Sequence, residues 1–217
     1  MPNSTSIPEP VETESKTATR ILDVAEELFA QRGFAAVSVR EIAGRVGLNQ
    51  ASIYNHFSSK QALYEAVLDR GFTPIRALLE RGAHELDPAV TTTDDFLDIL
   101  AEQLWQHPNL PKLLQREILD DGPYLERLSE QWIRPIVAAG REAMGAAVPD
   151  TVWDESDIPF VILVMYGMLF GHFVSSALTR QVFGADPFSA EMRDAHTEFI
   201  KKATHRLMGR PDSARSR

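Results

Sequence analysis

The sequence has no cysteine, and this absence removes several kinds of site at once. Disulfide bonds, thiolate zinc sites and thiol-based redox sensing all need that side chain. The first twenty residues also lack an apolar segment and carry three glutamates, which is unlike a secretory signal peptide. We therefore expect a cytoplasmic protein.

The motifs of common enzyme classes are missing as well. The six histidines form no H-E-x-x-H motif and no pair at positions i and i+4. There is no glycine-rich phosphate loop and no G-x-S-x-G nucleophile motif. The sequence therefore predicts neither an enzyme nor a resident metal ion or cofactor.

Acidic side chains outnumber basic ones, and the formal net charge is −9. Such a chain does not coat nucleic acid by its overall charge. The distribution is uneven, however, because residues 16–60 carry six basic and four acidic side chains, a local net charge of +2. A Debye length of about 8 Å at physiological salt screens this segment from much of the acidic remainder. Only residues 16–60 are locally suited to contact a polyanion.

A helix is predicted at the start of this segment, after an arm over residues 1–15 that we expect to be disordered. One apolar stripe with helical spacing marks it, and Gly33 is placed to end it. The stripe consists of Ile21, Leu22, Ala25, Leu28 and Phe29.

Two short helices are predicted next. Ser38 and Glu41 have the spacing of a capping box, in which each side chain binds the other residue's backbone amide. Gly47 should stop this helix, and Asn49 is a good N-cap for a third helix over residues 50–56. Two short helices joined through a tight glycine turn form a helix-turn-helix.

Residues 48–64 read LNQASIYNHFSSKQALY and include a second predicted capping box, Ser58–Gln61. This run resembles the signature of the TetR family of transcription regulators, with its Tyr-x-His-Phe-x-x-Lys core. The resemblance covers residues 17–65. It implies an all-α fold of about nine helices, in which a three-helix DNA-binding domain precedes a larger helical bundle. Its upstream part runs through Thr19–Leu22, Leu28–Ala30, Gly33–Phe34, Ser38–Arg40 and Ile42–Ala43.

The predicted third helix would contact base edges, because the second helix of a helix-turn-helix enters the major groove. It contains no lysine or arginine, so sequence recognition falls to Gln50, Ala51, Ser52 and Asn55. Glutamine or asparagine can pair with adenine, and an alanine methyl can touch thymine. We expect an A·T preference at one or two positions of each half-site.

Phosphate contacts are expected from the neighbouring helix starts. Free amides and the helix dipole favour an anion at the capped starts at Ser38 and Ser58. Arg40 and Lys60 lie in the first turns of those helices, where a nearby phosphate would offset the unfavourable dipole. The alternative for both is a solvated surface charge.

Tyr54 and His56 match positions that commonly touch the DNA backbone in the family. A hydroxyl or an imidazole N–H can reach a phosphate oxygen while its ring stays packed. Their alternative is packing in the core, which we expect in any case for Ile53 and Phe57.

Beyond the DNA-binding domain, predicted over residues 16–62, the pattern remains helical. An effector-binding and dimerisation domain is predicted over residues 63–208, followed by a disordered tail over residues 209–217. Pro74 and Pro135 should kink or divide their helices. The predicted helices lie near residues 59–82, 93–107, 110–120, 123–147, 156–183 and 188–208.

Residues 158–179 contain no charged side chain. A transmembrane helix is one interpretation, but several polar residues and the lack of a flanking basic cluster favour a helix buried on most sides of a bundle. Gly167, Gly171 and Ser175 form a stripe of small residues along it. The resemblance implies that the last two helices form a dimer interface. The last helix offers Met192, Ala195, Phe199 and Ala203 on one side.

Large apolar side chains of the second domain are candidates for an effector pocket, although ordinary core packing is the alternative for each. They are Trp105, Trp132, Met165, Tyr166, Met168 and Phe170. The expected partners are double-stranded DNA, a small-molecule effector of unknown identity and a second copy of the chain, with no membrane. The resemblance implies a repressor; the same fold without ligand sensing is the alternative function.

Overall fold

The structure is a computed structural model. It describes the backbone of residues 10–84, 93–135, 137–138 and 153–208, and the side chains of residues 16–77, 94–135, 137–138 and 153–208. Within those ranges every regular element is helical and no strand occurs, which confirms the predicted all-α fold. The predicted tail and residues 1–9 of the predicted arm lie outside the described residues.

Ten α-helices and one π-helical segment occupy the described residues, against the nine or so helices that we predicted. The π-helical segment is Ser129–Ile133. In chain order the α-helices are α1 Pro10–Ala36, α2 Val39–Val46, α3 Gln50–His56, α4 Lys60–His84, α5 Thr93–Gln106, α6 Leu110–Leu119, α7 Leu125–Leu128, α8 Ile158–Val174, α9 Ser176–Phe183 and α10 Ala190–Leu207.

Helix α1 differs from the prediction at its start and is interrupted where expected. It begins at Pro10, so residues 10–15 are helical where a disordered arm was predicted. Proline suits the first helical position because its fixed φ matches the helix and its missing N–H has no partner to lose there. Near the other end Gly33 has φ 79° and ψ 166°, which breaks the helical path as its sequence position predicts.

The chain divides into two compact units, Met1–Arg70 and Gly71–Arg217. The division falls inside α4, later than the predicted boundary after residue 62. The reason is that the first turns of α4 belong to the core of the first unit. Leu63 and Tyr64 are buried there, and the ring centroid of Tyr64 lies 4.9 Å from that of Phe29 in an edge-on arrangement.

The second unit is a bundle whose core is formed mainly by leucines and aromatic rings. Helix α10 packs against α5 and α8, and α6 packs against α8. Polar contacts fix α10 to α5, since Lys201 binds Asp98 at 2.5 Å and His205 binds Asp94 at 2.6 Å. These two contacts therefore fix the register of α10 along α5.

The two prolines act differently from each other. Pro74 lies within α4, which continues to His84 without the division that was one of the two predicted outcomes. Pro135 lies two residues after the end of the π-helical segment Ser129–Ile133. Proline has no N–H to donate to the preceding turn, and a local change of hydrogen-bond pattern is a common accommodation.

The uncharged region forms two helices, where one helix over residues 156–183 was predicted. The axes of α8 and α9 are bent by 68° at Ser175, whose φ of −92° and ψ of 14° end α8. In the part of the chain that the structure describes, no single helix is long and apolar enough to cross a membrane. Among the described helices, only the bent pair α8 and α9, taken together, has that length and composition.

Burial on most sides was also predicted for this region, and that expectation is wrong for a single copy of the chain. Phe160 is 67% exposed and Leu163 is 63% exposed on α8, and Phe183 at the end of α9 is 74% exposed. Large apolar side chains are exposed along one side of α8. In a single copy of the chain, the helix therefore has one buried face and one open face.

Candidate functional site

A glycine turn joins α2 to α3. Gly47 has φ 78° and ψ 29°, a left-handed conformation that side chains other than glycine adopt at a cost. Its N–H bonds to the carbonyls of Ala43 and Gly44, and the Leu48 N–H bonds to the Ala43 carbonyl at 2.8 Å. The predicted helix stop is confirmed, and it sets the direction in which α3 leaves the turn.

The N-cap of α3 is Asn49, as predicted. Its Oδ1 accepts hydrogen bonds from the backbone N–H of Ser52 at 2.8 Å and from the Ser52 hydroxyl at 3.1 Å. The first turn of α3, which carries the candidate base contacts, is therefore held by a side chain of the turn itself.

The N-cap of α2 is Ser38, but only half of the predicted capping box forms. The Ser38 Oγ accepts from the Glu41 N–H at 3.2 Å. The Glu41 carboxylate does not return to Ser38. It receives two hydrogen bonds from the Arg32 guanidinium, at 2.6 and 2.9 Å. A bidentate pair with arginine is stronger than a single bond to an exposed amide, which explains the exchange of partner.

Helix α4 is capped by Ser59, one residue later than the predicted Ser58. The Ser59 Oγ accepts from the Ala62 N–H at 3.0 Å, and its carbonyl accepts from Leu63 at 3.0 Å. The Gln61 side chain donates to Glu65 at 3.1 Å and so completes no capping box. Two adjacent serines have the same local chemistry, and burial of Leu63 in the core selects the later one.

The exposed face of α3 carries the candidate base contacts. Ile53 is 1% exposed and fixes which side of the helix faces inward. Gln50, Ala51 and Asn55 are exposed, and Ser52 is half-buried. Because Ile53 points inward, the opposite face of α3 is exposed, and this face is uncharged and can form hydrogen bonds.

Tyr54 belongs to the same exposed face. It is 44% exposed, so the alternative of core packing is wrong for this residue. Its hydroxyl accepts a long hydrogen bond of 3.4 Å from the Gln50 amide, which is easily exchanged for a better partner. His56 and Phe57 are both half-buried at the end of α3, so Phe57 is less buried than predicted.

Lys60 is only partly available to a phosphate. Its Nζ lies 4.3 Å from the centroid of the Phe34 ring and donates to the Ala35 carbonyl at 3.4 Å. Burial lowers the pKa of its ammonium group. The side chain therefore packs on the end of α1 and has a predominantly local environment.

Arg40 is the more available cation. It is exposed in the first turn of α2, and it has no hydrogen bond or ion pair among the residues that the structure describes. Two neighbouring arginines are instead neutralised, because Arg32 binds Glu41 and Arg45 binds Glu27 at 3.0 Å. Arg40 thus carries a charge on this face that is in no ion pair with a described residue.

Two further arginines hold the first unit together, and the sequence reasoning missed both. Arg20 donates to the Val46 carbonyl at the end of α2, at 3.0 Å. Arg70 binds the buried Glu26 at 2.5 Å and Asp23 at 2.6 Å. Burial tends to lower the pKa of Arg70, but the hydrogen bonds and charges of the two acids outweigh it and raise the pKa overall. The partners are 44 and 47 residues apart in sequence, so no local spacing could have shown them.

The six candidate pocket residues do not gather around one cavity in the described part of the second unit. Trp132 is core, stacked on Phe72 with ring centroids 5.6 Å apart. Tyr166 pairs with Phe170 at 4.9 Å and donates to Gln115 at 2.7 Å. Burial raises the pKa of the Tyr166 phenol.

The two candidate methionines make contacts with α10. The Met165 sulfur accepts a weak bond of 3.8 Å from Thr204. The Met168 carbonyl lies 3.3 Å from Nε2 of His196. Both residues are half-buried, and their contacts are those of helix packing.

Trp105 stands apart from the other candidates because it borders a cavity. The cavity has a volume of about 290 Å³ and is lined by Glu102, Trp105, Gln106, Phe188, Ala190 and Arg193. A second one of about 520 Å³ lies between α5 and α10, with mostly charged and polar walls. His196 and Phe188 contact Trp105 and were not predicted, although the helical spacing of His196 from Met192 places it on the inward side of α10.

The candidate dimer residues lie mainly on open surface. Gly167 and Gly171 would place an added methyl group in open space, with no atom within 4 Å. Ser175 and Ala195 are exposed, and Phe199 is 61% exposed. The remaining two candidates, Met192 and Ala203, are half-buried. The small-residue stripe therefore lies on the open face of α8.

The N-terminal sequence matches a known family. The sequence model described as bacterial regulatory proteins, tetR family, matches residues 21–67. The HTH-type transcriptional repressor Rv3405c of Mycobacterium tuberculosis is 37% identical over 108 residues, 50% of each chain. The HTH-type transcriptional repressor KstR2 of Rhodococcus jostii is 36% identical over 87 residues, 37% of this chain and 43% of that one. The chain spans about half the length, or less, of these curated relatives.

Solved structures share the fold over most of the chain. A Streptomyces coelicolor protein assigned as a transcriptional regulator is 27% identical, with a TM-score of 0.57, over 90% of this chain and 99% of its own. The ketosteroid transcriptional regulator KstR2 of Mycobacterium tuberculosis has the same fold, with a TM-score of 0.64 over 95% and 96% of the two chains at 16% identity. These relatives are transcription regulators and not enzymes, as the sequence predicts. Residues 21–67 therefore match the TetR family of bacterial regulatory proteins, and the described fold is the one that these solved transcription regulators share.

Proposed function

We propose that the chain is a cytoplasmic transcription repressor that binds a pseudo-palindromic operator as a homodimer and is released by a small-molecule effector. The observation that carries the DNA-binding part is the exposed, uncharged first turn of α3. It is held between the Gly47 turn and the Asn49 cap. That face can form hydrogen bonds to base edges but has no cation of its own for the phosphates.

Roles follow from exposure and bonding. Gln50 and Asn55 pair with adenine, and Ala51 and Ser52 lie close to the same base pairs. Arg40 binds a phosphate, since it is exposed and forms no ion pair with a described residue, the neighbouring Glu41 being paired with Arg32. Tyr54 exchanges its long bond from Gln50 for a phosphate oxygen.

The amide ends of α2 and α4, capped by Ser38 and Ser59, are further phosphate sites. His56 and Lys60 contribute at the edge of the surface. The separation of roles is the expected one for a helix-turn-helix, in which phosphate contacts position the protein and base contacts specify the site.

The dimer is proposed to form through α8 and α10. In one copy of the chain, Phe160, Leu163 and Phe199 expose a large apolar area beside the open glycine stripe. Small residues allow close approach of another helix, and covering the apolar side chains removes their area from water. A second copy offers the same face, so a two-fold interface is self-complementary.

Two recognition helices related by a two-fold axis contact half-sites about 34–36 Å apart, or somewhat more, in successive major grooves. An effector that favours a different arrangement of the bundle changes that separation. A coupling free energy of about 1–3 kcal/mol weakens DNA binding roughly 5–150-fold.

The test is selection of bound duplexes from a random pool, repeated with candidate effectors. Titrations of the selected site against salt then separate the two kinds of contact. Gln50→Ala should lose preference at one or two A·T positions, about 1–3 kcal/mol each, with the salt slope unchanged. Arg40→Gln should weaken binding to all duplexes and reduce the slope by about 0.9.

Arg45→Gln is the matched control, because Arg45 is already paired with Glu27 and should change the slope little. Equal loss on all sequences for Gln50→Ala would contradict its base contact. Absence of sequence-selective, salt-sensitive binding to any duplex would overturn the whole proposal.

A further inference from the structure

An aromatic cluster surrounds Trp105 in the second unit. The centroid of its ring lies 5.2 Å from that of His172, 5.1 Å from Phe173, 6.1 Å from Phe188 and 5.9 Å from His196. The two imidazole centroids are 4.7 Å apart. Residues from α5, α8, the loop before α10 and α10 itself thus meet at a single indole ring.

Two polar atoms in this cluster are buried without a hydrogen-bond partner among the described residues. They are Nε1 of Trp105, which can only donate, and Nδ1 of His196. Because a buried polar atom left unpaired loses its hydrogen bonds to water without replacement, two such atoms in contacting rings are unusual in a core. A core selected only for packing would have a phenylalanine or leucine in these places.

The bonding of His196 defines what its free nitrogen offers. Its Nε2 lies 3.3 Å from the Met168 carbonyl, and a carbonyl can only accept, so Nε2 holds the proton. Burial and the neighbouring His172 lower the pKa of His196 to about 4, which keeps the ring neutral near pH 7. Nδ1 is therefore an acceptor, and the cluster presents one donor and one acceptor.

The cavity of about 290 Å³ is bordered by the same indole, with Phe188 as another wall and with the polar side chains of Glu102, Gln106 and Arg193 on its other sides. Ligand pockets are typically 300–1,000 Å³, so this one suits a molecule of about one ring. Phe188 is 39% exposed on the loop between α9 and α10, where a side chain can move to admit a ligand. A flat apolar body against Trp105 and Phe188 would use the stacking that aromatic walls favour.

We propose that the Trp105 cluster binds a small neutral phenol, whose hydroxyl accepts from the Trp105 indole N–H and donates to Nδ1 of His196. This assignment names the effector class and so rests on the proposed ligand-sensing function. A hydroxyl is the simplest group that both accepts and donates. The two rings that carry these nitrogens are neighbours in an edge-on arrangement, with centroids 5.9 Å apart.

Other small groups match the pair less well. A carboxylate has no proton for Nδ1 of His196, and an ammonium has no lone pair for the indole N–H. An aryl methyl ether accepts but does not donate, so it leaves the histidine nitrogen unpaired. The proposal therefore predicts an order of binding among molecules of nearly equal shape.

The experiment uses the full chain, labelled with ¹⁵N, and three probes: 4-methylphenol, 4-methylanisole and 4-methylbenzoate. The indole N–H resonances report binding at each tryptophan, and Trp105→Phe assigns the signal of Trp105. Trp132→Phe is the matched control, because Trp132 is buried against Phe72 and borders neither cavity. The expected result is a shift of the Trp105 resonance by 4-methylphenol, with roughly tenfold or weaker binding of the other two probes.

Trp105→Phe should weaken binding of 4-methylphenol by a similar factor, and Trp132→Phe should leave it unchanged. Equal binding of the phenol and its ether, tighter binding of the benzoate, or no shift of the Trp105 resonance would each overturn the assignment. If Trp105→Phe does not fold, Trp132→Phe and Trp153→Phe assign the other two indole signals, and the three-probe comparison still decides the proposal.

Operator binding measured on the same samples separates this inference from the proposed function. If 4-methylphenol binds at Trp105 but does not release DNA, the site stands and the effector role fails. If no duplex is bound at all, the regulator proposal fails, while the order of the three probes still decides the chemistry of the cluster.

Discussion

The turn between α2 and α3 allows a sharp test of what fixes the recognition helix. Gly47 has φ 78°, and an alanine Cβ at this position would meet no atom within 4 Å. Crowding by neighbours therefore contributes nothing to the effect of Gly47→Ala. What remains is the backbone cost of a left-handed conformation, roughly 1–2 kcal/mol for an L-residue.

Gly44 provides the matched control, three residues earlier. It lies inside α2 with ordinary helical geometry, and a Cβ there also meets no atom within 4 Å. Alanine is favoured over glycine in a helix by roughly 0.5–1 kcal/mol. The same chemical change should therefore lower the free energy of unfolding at Gly47 and raise it at Gly44.

Hydrogen exchange of the full chain measures both effects at the relevant place, because the amides of residues 46–57 report opening of the turn and of α3. Urea unfolding followed by circular dichroism gives the global comparison. A neutral Gly47→Ala, or changes of the same sign at both glycines, would refute the reasoning that positive φ at residue 47 fixes the turn.

Four further outcomes follow from the contacts of single side chains. Asn49→Ala should lower the stability of α3 by about 1 kcal/mol, measured by hydrogen exchange of its amides. Asn49→Ser should leave that stability unchanged, since serine caps a helix equally well. Arg70→Met should destabilise the first unit by roughly 3–5 kcal/mol in urea, because it removes the guanidinium that neutralises the buried Glu26 carboxylate of α1. The same change at the exposed Arg45 should cost under about 1 kcal/mol, and equal losses would contradict this distinction. The pKa of His196 is lowered to about 4 by burial and by a neighbouring histidine, so its contribution to stability is complete above pH 6.5 and is lost as the pH falls towards 4. His196→Asn should flatten that part of a stability-against-pH curve, and an unchanged curve would count against burial of a neutral ring. Phe199→Glu should yield a monomer in sedimentation experiments, and a persistent dimer would place the interface elsewhere.

Local signals predicted the helix-turn-helix well because each depends on a few adjacent residues. The Gly47 stop and the Asn49 cap are determined by backbone conformation and by hydrogen bonds within three residues. The cap of α4 was misplaced by one residue because Ser58 and Ser59 are locally equivalent. Only the fit of Leu63 into the core distinguishes them.

Long-range pairings were beyond the reach of sequence patterns. The capping box at Ser38 was predicted with Glu41 returning to it, but Glu41 pairs with Arg32, on the preceding helix. Nothing in the local spacing reveals that Arg32 is close enough to compete. The same holds for the break at Ser175, where an uncharged run gave no sign of a 68° bend.

Helix α8 joins the two proposals about the second unit, because it carries both sites on different faces. His172 and the buried Phe173 contact Trp105, while Gly167 and Gly171 lie on the open face proposed for the dimer. A ligand that repositions α8 at the cluster changes the geometry of that open face as well. Each copy of the chain carries one such site, so linkage requires that a saturating ligand alter dimer dissociation by the square of the factor by which dimerisation alters the affinity of one site. Dimer dissociation measured with and without saturating 4-methylphenol must therefore give the square of the ratio of phenol affinities measured on monomer and dimer.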